Sequence, residues 1–295
     1  MPRSRFASLF YPVAVLMVSM ASIQSGASLA KSLFPVLGAQ GVTAMRLTFA
    51  AIILLVLLRP WRQPIARKSW GSLLAYGITL GGMNLMFYMA LRTVPLGVAV
   101  ALEFTGPLAV ALYFSRKALD FLWIAIAVFG LWLLLPIGNL GHGVDPTGAA
   151  LALAAGVCWG LYIIFGQRAG SDHGTQGAAL GVSIAAVFIA PIGIVHAGTA
   201  LLDLHLLPAL LGVAVLSSAL PYTLEMVALT RLPARTFGTL MSIEPAFGAL
   251  SGLLFLGEQL TFLQWLAIAA IIVASVGTTL SSQPSQPVLT APAPD

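Results

Sequence analysis

Long apolar segments alternate with short polar connectors along most of this chain. A helix needs about 20 apolar residues to cross the hydrocarbon core of a bilayer, so each segment is a candidate transmembrane helix. Ten segments meet this test approximately, and they span residues 9–30, 42–58, 71–91, 95–114, 119–137, 148–166, 177–196, 206–229, 235–256 and 262–281. The pattern predicts an all-α membrane protein with ten transmembrane helices.

The composition excludes soluble classes of protein. Hydrophobic residues make up 59% of the 295 residues and charged residues only 8%, whereas soluble domains carry roughly 25% charged residues. The net charge of +5 does not indicate nucleic-acid binding, because the basic residues fall in the connectors and not on one basic, aromatic face. Cys158 is the single cysteine, and the four histidines lack ligand spacing. We expect no disulfide, metal or cofactor, and without a nucleophile or nucleotide motif we expect no enzyme.

The distribution of lysine and arginine predicts the orientation in the membrane. With the N-terminus in the cytoplasm, eleven basic residues lie on the cytoplasmic side and two, Lys31 and Arg92, on the other. Both termini are therefore expected in the cytoplasm. The first segment exceeds the core of a signal peptide, which is about 7–15 residues, so it is interpreted as an uncleaved helix. Residues 282–295 are rich in Pro, Ser and Gln and are predicted to form a disordered tail.

Residues 83–120 and 221–258 resemble each other at a constant offset of 138 residues. The offset aligns, among others, Pro95 with Pro233, Pro107 with Pro245, and Asp120 with Glu258. A chance alignment of two proline-containing helices is the alternative, but the shared offset argues against it. Five helices in each half would give repeats of opposite orientation, at 1–140 and 146–281. Inverted repeats are typical of transporters that bind substrate near the midplane and work by alternating access.

Glu103 lies near the middle of the fourth segment. A charged side chain at this depth costs about 2.5–3.5 kcal/mol on insertion scales, so it is expected to face the bundle interior. A carboxyl that can hold or release a proton there could neutralise a substrate ammonium or exchange it for a proton. The alternative is a protonated glutamate that bonds a neighbouring helix.

Pro107 is predicted to break the same helix. Proline has no backbone N–H, so the carbonyl of Glu103 loses its helical partner and could serve as an acceptor beside the carboxylate. Thr105 would add a hydroxyl that could bind the substrate, and Gly106 would let another helix or a ligand come close. A simple proline kink is the alternative.

Four further charged or polar positions complete the candidate site. Glu244, directly before the second helix break at Pro245, could bind substrate or brace that break. Arg46 could meet a substrate carboxylate or a glutamate, form a structural ion pair, or snorkel to the outer end of its helix. Asn84 and Tyr88 could bond a substrate hydroxyl.

Three more residues are assigned with alternatives left open. Glu225 is expected near the cytoplasmic end of the eighth helix, as a gate or a solvated residue. Trp159 and Tyr162 could line a cavity or anchor the chain at the lipid interface.

Several motifs resemble the EamA type of the drug/metabolite transporter superfamily. In the second half the motif runs from Glu244 and Pro245 to Leu256, Gly257 and Glu258. A closer similarity to the threonine and homoserine exporters of this superfamily is carried by residues 20–24, 26–35, 94–97, 101–112 and 236–242.

The resemblance implies efflux of small neutral amino acids, such as threonine and homoserine, across the bacterial inner membrane in exchange for protons. The partners would then be a small amino acid, protons and the lipid bilayer. Glu103 would distinguish this branch, because many superfamily members are not acidic there, and Glu258 would have a structural or folding role. The same fold with another cargo, such as a metabolite or drug, and a membrane scaffold that moves nothing are the alternatives.

Overall fold

A computed structural model describes residues 3–62, 69–113, 118–134, 144–231, 237, 241 and 243–281. Helices account for nearly all of these residues, and none of the residues described lies in a strand. The predicted all-α fold class is therefore confirmed. The predicted tail and most of the connector between the two predicted repeats lie outside the described residues.

The α-helices are numbered in chain order. They are α1 (Arg3–Ser32), α2 (Phe34–Leu58), α3 (Trp70–Ala90), α4 (Leu96–Glu103), α5 (Thr105–Tyr113), α6 (Ala118–Leu134), α7 (Pro146–His173), α8 (Gln176–Ala197), α9 (Leu207–Ala214), α10 (Leu220–Arg231), α11 (Glu244–Leu256) and α12 (Phe262–Ser281).

Helical stretches long and apolar enough to cross a membrane are found in both halves of the described chain. Five meet this criterion among the described residues, namely Phe34–Leu58, Trp70–Ala90, Pro146–His173, Gln176–Leu202 and Leu204–Ala228. Shorter apolar helices lie at Leu96–Val110, Glu244–Leu256 and Phe262–Ala274. The protein is a membrane protein with several spanning helices.

Three predicted segments depart from simple helices. The second begins at Phe34, eight residues before its predicted start, and contains Gly38 at φ 67°, a backbone conformation that glycine adopts readily. The fourth is divided at Phe104 into α4 and α5. The eighth is interrupted by a π-helical turn, Val215–Ala219, between α9 and α10. Apolar length therefore locates helices but does not reveal where they bend.

The helices pack in pairs around a common centre. α2 lies along α8 and α6 along α12, while α3 contacts α7 and α8. α1 contacts α10 and α11, and α4 contacts α7 and α11. This packing brings α1, α3, α4, α7, α10 and α11 together, and their buried polar side chains meet at the centre.

The junction of α4 and α5 is held in direct backbone contact with α7. A Cβ atom added to Gly106 would overlap the carbonyl of Gly156, and one added to Gly156 would overlap the carbonyl of Glu103. Only glycine allows this approach, as in small-residue contacts between membrane helices. The contact fixes the position of Glu103 relative to α7.

An ion pair joins the end of α1 to the loop that follows α11. The ammonium of Lys31 donates to Oε1 of Glu258 at 2.6 Å, and the backbone N–H of Leu96 donates to Oε2 at 2.8 Å. Leu96 is the first residue of α4, where a carboxylate satisfies an N–H that has no partner within the helix. Glu258 therefore ties three helices together and has a structural role.

We expect Glu258→Ala to lower the free energy of unfolding by about 1–3 kcal/mol, because the buried N–H of Leu96 loses its acceptor. Lys31→Ala should cost less, since Glu258 still accepts from Leu96. Denaturant unfolding of both single variants and the double variant would measure the difference. Equal costs for the two single variants would contradict the capping role.

Candidate functional site

A small cavity lies where the central helices meet. Its volume is about 40 Å³, which is room for a few water molecules. Its walls include three carboxyl groups and one guanidinium. Because burying ionisable side chains inside a membrane protein costs free energy, such a group of residues indicates a functional site. The lining residues are Ile23, Gln24, Ala27, Arg46, Met83, Asn84, Phe87, Tyr88, Glu103, Trp159, Tyr222, Glu225 and Glu244.

Glu103 is the last residue of α4 and is buried at the cavity wall. None of the residues described here hydrogen-bonds to its carboxyl group, which lines the cavity where a ligand could meet it. Its backbone carbonyl lies against Gly156 of α7. The backbone carbonyl of Glu103, which the sequence predicts as an acceptor beside the carboxylate, therefore packs against α7. Only the side chain of Glu103 lines the cavity.

Thr105 lies apart from this cavity. Its hydroxyl donates to the carbonyl of Leu102 at 2.7 Å. The residue lines a separate apolar groove of about 510 Å³ between α5 and α7, which also includes Gly106 and Gly160. Thr105 and Glu103 are thus neighbours in sequence that the structure does not bring together.

Glu244 and Gln24 form a pair at the cavity wall. The side-chain amide of Gln24 donates to Oε1 of Glu244 at 2.8 Å. Oε1 of Gln24 and Oε2 of Glu244 are buried and have no partner among the described residues. Pro245 lies in the first turn of α11, where a missing N–H costs no helical hydrogen bond. Two acceptor atoms are therefore available to a donor in the cavity.

Arg46 is 1% exposed, so the interpretation that it snorkels is wrong. Its guanidinium donates to the carbonyl and the hydroxyl of Ser217, at 3.0 and 2.9 Å, and to Oδ1 of Asn84. It lies 4.2 Å from the ring centroid of Tyr88, a cation–π contact. The described residues place no carboxylate in ion-pair contact with it. Nε of Arg46 has no hydrogen-bond partner among the described residues, so the guanidinium can bind an anion through this atom.

Asn84 connects the two halves of the described chain. Its Oδ1 accepts from Arg46 and also from the hydroxyl of Tyr222 at 2.7 Å. Its side-chain amide donates to the carbonyl of Leu80. The hydroxyl of Tyr88 is buried with no partner among the residues described. Asn84 therefore positions the guanidinium, while Tyr88 offers a hydroxyl to the cavity.

Glu225 is 3% exposed and lines the same cavity, so the expectation of a solvated position is wrong. Tyr162 donates its hydroxyl to Oε2 at 2.9 Å, and Ser19 donates to Oε1 at 3.2 Å. Trp159 lines the cavity and Tyr162 is fully buried. Neither aromatic residue is a lipid-interface anchor.

Comparison with known proteins identifies the family. A model of the EamA-like transporter family matches residues 146–280. The chain is 60% identical to the threonine/homoserine exporter RhtA of Salmonella typhimurium and 58% identical to that of Escherichia coli K12, in each case over 92% of both chains. The chain belongs to the EamA-like transporter family.

The chain is also similar to more distant proteins. The uncharacterized inner membrane transporter YedA of Escherichia coli K12 is 29% identical over 84% of both chains. A solved crystal structure matches this EamA-like transporter with a TM-score of 0.64 at 19% identity, covering 91% of this chain and 97% of the other. The latter likeness shows a shared fold.

The offset of 138 residues could have located the cavity residues that sequence reasoning missed in this EamA-like transporter. Asn84 and Tyr222 are 138 residues apart and hydrogen-bond to each other. The same offset relates Phe87 to Glu225, and both line the cavity. When the polarity of a residue predicts a central position, the residue 138 positions away in the other half is therefore a candidate for the same cavity.

Proposed function

We propose that this EamA-like transporter exports small neutral amino acids, threonine and homoserine among them, in exchange for protons. The observation that carries the proposal is a cavity with carboxyl groups on one set of helices and a buried guanidinium on another. An amino acid carries an ammonium and a carboxylate on one carbon, and a site of this kind is complementary to both.

The free polar atoms of the cavity suggest how the cargo binds. The ammonium would meet Glu103 and the free oxygen of Glu244, which are the acidic acceptors available in the cavity, with Oε1 of Gln24 beside them. The cargo carboxylate would meet Nε of Arg46, and a cargo hydroxyl would meet the hydroxyl of Tyr88.

The named substrates of the relatives support the same choice. The two RhtA proteins are named as exporters of threonine and homoserine, and the identity of 58–60% extends over 92% of this chain. Such coverage includes the cavity and the helices that form it. Without a nucleotide-binding motif in the sequence, we propose that a proton gradient drives transport and that no catalysis is involved.

We also propose that the scaffold consists of two inverted five-helix repeats, 1–140 and 146–281. An offset that relates the halves makes α2 equivalent to α8 and α6 to α12, and each of these helices packs against its own equivalent. The contact of α1 with α10 likewise corresponds to that of α7 with α3. Packing of this kind is expected around a pseudo-twofold axis and supports alternating access. The basic residues support an inner-membrane orientation with both termini in the cytoplasm.

Transport assays in inverted membrane vesicles would test the proposal. With an acidified lumen, the wild-type protein is expected to accumulate threonine and homoserine, because outward proton flow drives the cargo inward. A panel of amino acids, purines and hydrophobic amines would define the range. Flux of none of these compounds would favour a membrane scaffold, and flux of purines or amines alone would favour another cargo.

A further inference from the structure

Glu225 differs from the other carboxyl groups of the cavity in its hydrogen bonding. Both of its oxygens already accept from hydroxyls of the protein, those of Tyr162 and Ser19. An ammonium at Glu225 would compete with these hydroxyls for the lone pairs of the carboxylate. No described residue donates a hydrogen bond to the carboxyl group of Glu103, and Oε2 of Glu244 has no partner among the same residues, so the cargo binds there with less competition.

We propose that Glu225 is the proton site of this transporter, separate from the carboxyl groups that bind the cargo. The inference rests on the proposed proton-coupled export of amino acids and names the group that carries the proton. A hydronium ion that reaches the cavity transfers its proton to Oε1 of the carboxylate: one O–H bond of hydronium breaks, the O–H bond of a carboxylic acid forms, and a water molecule is left.

Ser19 allows Glu225 to exist in both states without movement of a helix. Its hydroxyl lies 3.2 Å from Oε1 of Glu225 and 3.2 Å from the carbonyl of Pro221. A hydroxyl has one hydrogen and can also accept. When Glu225 is ionised, Ser19 donates to the carboxylate. When Glu225 is protonated, its O–H donates to Ser19, which then donates to Pro221.

The groups around Glu225 leave its charge without an ion pair. Tyr162 donates to it from α7, and the ring of Tyr162 packs against the rings of Tyr76 on α3 and Tyr222 on α10. α1 presents Ser19, the π-helical turn has no titratable residue, and α8 has His196, which is exposed and lies at its far end.

The charged groups across the cavity are Glu103, Glu244 and Arg46. The guanidinium of Arg46 is engaged by Ser217 and Asn84. Since no described cation pairs with Glu225, a proton is the means of neutralising it.

Protonation of Glu225 couples to the cargo through charge. The ionised group adds to the negative potential that attracts an ammonium to the same cavity. Its protonation removes that contribution, so the cargo is held less tightly. An export cycle uses this difference: the carboxylate favours loading from the cytoplasm, and protonation on the more acidic side favours release.

Two assays on purified protein in vesicles test the assignment. Threonine counterflow without a pH gradient measures cargo binding and reorientation, whereas accumulation with an acidified lumen also requires the proton. In Glu225→Gln, which mimics the protonated state, we expect counterflow to continue with a weaker apparent affinity for threonine and to lose its dependence on pH, with loss of accumulation above the equilibrium level. Accumulation driven by the pH gradient in Glu225→Gln would overturn the proposal.

Glu103→Gln is the matched control, because it changes another carboxyl group of the same cavity. It is expected to lose counterflow and accumulation together. If the wild-type protein itself shows no counterflow of threonine or homoserine, the proposed cargo fails, which is a different result from the failure of Glu225 as the proton site.

Tyr162→Phe keeps the inference testable if Glu225→Gln does not fold. The substitution removes one donor to the carboxylate and retains the ring. We expect the pH at which counterflow is half-maximal to shift, because the ionised form of Glu225 has lost a hydrogen bond. A purely structural role would lower the rate equally at all pH values, and that result would overturn the proposal.

Discussion

Glu103→Gln is expected to abolish threonine export while the protein remains folded. No described residue hydrogen-bonds to this carboxyl group, so the amide removes no contact on which the fold depends. The ammonium of the cargo, however, loses its charged partner. A lost hydrogen bond to a charged group costs about 1.5–3 kcal/mol, or roughly a 10- to 150-fold weaker affinity. Threonine uptake by inverted vesicles with an acidified lumen would measure the loss.

Thr105→Val is the matched control for this prediction. The substitution retains the branched shape and lies two residues away, in the groove between α5 and α7. We expect Thr105→Val vesicles to accumulate threonine as the wild-type vesicles do, with equal amounts of protein in the membrane. Normal uptake by Glu103→Gln would show that this carboxyl group does not bind the cargo.

The sequence located the cavity because polar residues are costly within apolar helices. Glu103, Glu244, Arg46, Asn84 and Tyr88 are charged or polar residues within predicted helices, and the structure brings all five to one cavity. The energetic penalty for placing such groups in lipid depends little on the details of packing, so it can be read from a single chain.

Helix faces and helix ends were harder to predict. Thr105 follows Glu103 by two positions, and residues two apart on a helix point to different sides. The spacing of two residues therefore argues against Thr105 and Glu103 lining the same cavity. The sequence predicts Glu225 near the cytoplasmic end of the eighth helix, but a π-helical turn interrupts that helix before α10. The pattern of apolar residues does not predict a π-helical turn. Only the packing of α10 against α1 and α7 shows that Glu225 is buried.

Gly106→Ala is expected to destabilise the protein strongly. The added Cβ would overlap the carbonyl of Gly156, and backbone atoms of a packed helix cannot rotate away as a side chain can. Overpacking of a tightly packed core costs about 1–3 kcal/mol and occasionally more, so we expect a loss at the upper end of this range or beyond it. The thermal unfolding midpoint of the purified protein in detergent would measure the change.

Gly71→Ala provides the control, because no atom of the described residues beyond its own turn of helix lies within 4 Å of the position that its Cβ would occupy. Gly71 lies in the first turn of α3, so alanine there should leave the midpoint unchanged or raise it slightly through its higher helix propensity. Gly156→Ala should resemble Gly106→Ala, since it presses on the carbonyl of Glu103 from the other side of the same contact. An unchanged midpoint in both Gly106→Ala and Gly156→Ala would mean that α4 and α7 are not held together by this backbone contact, and the position of Glu103 would then need another support.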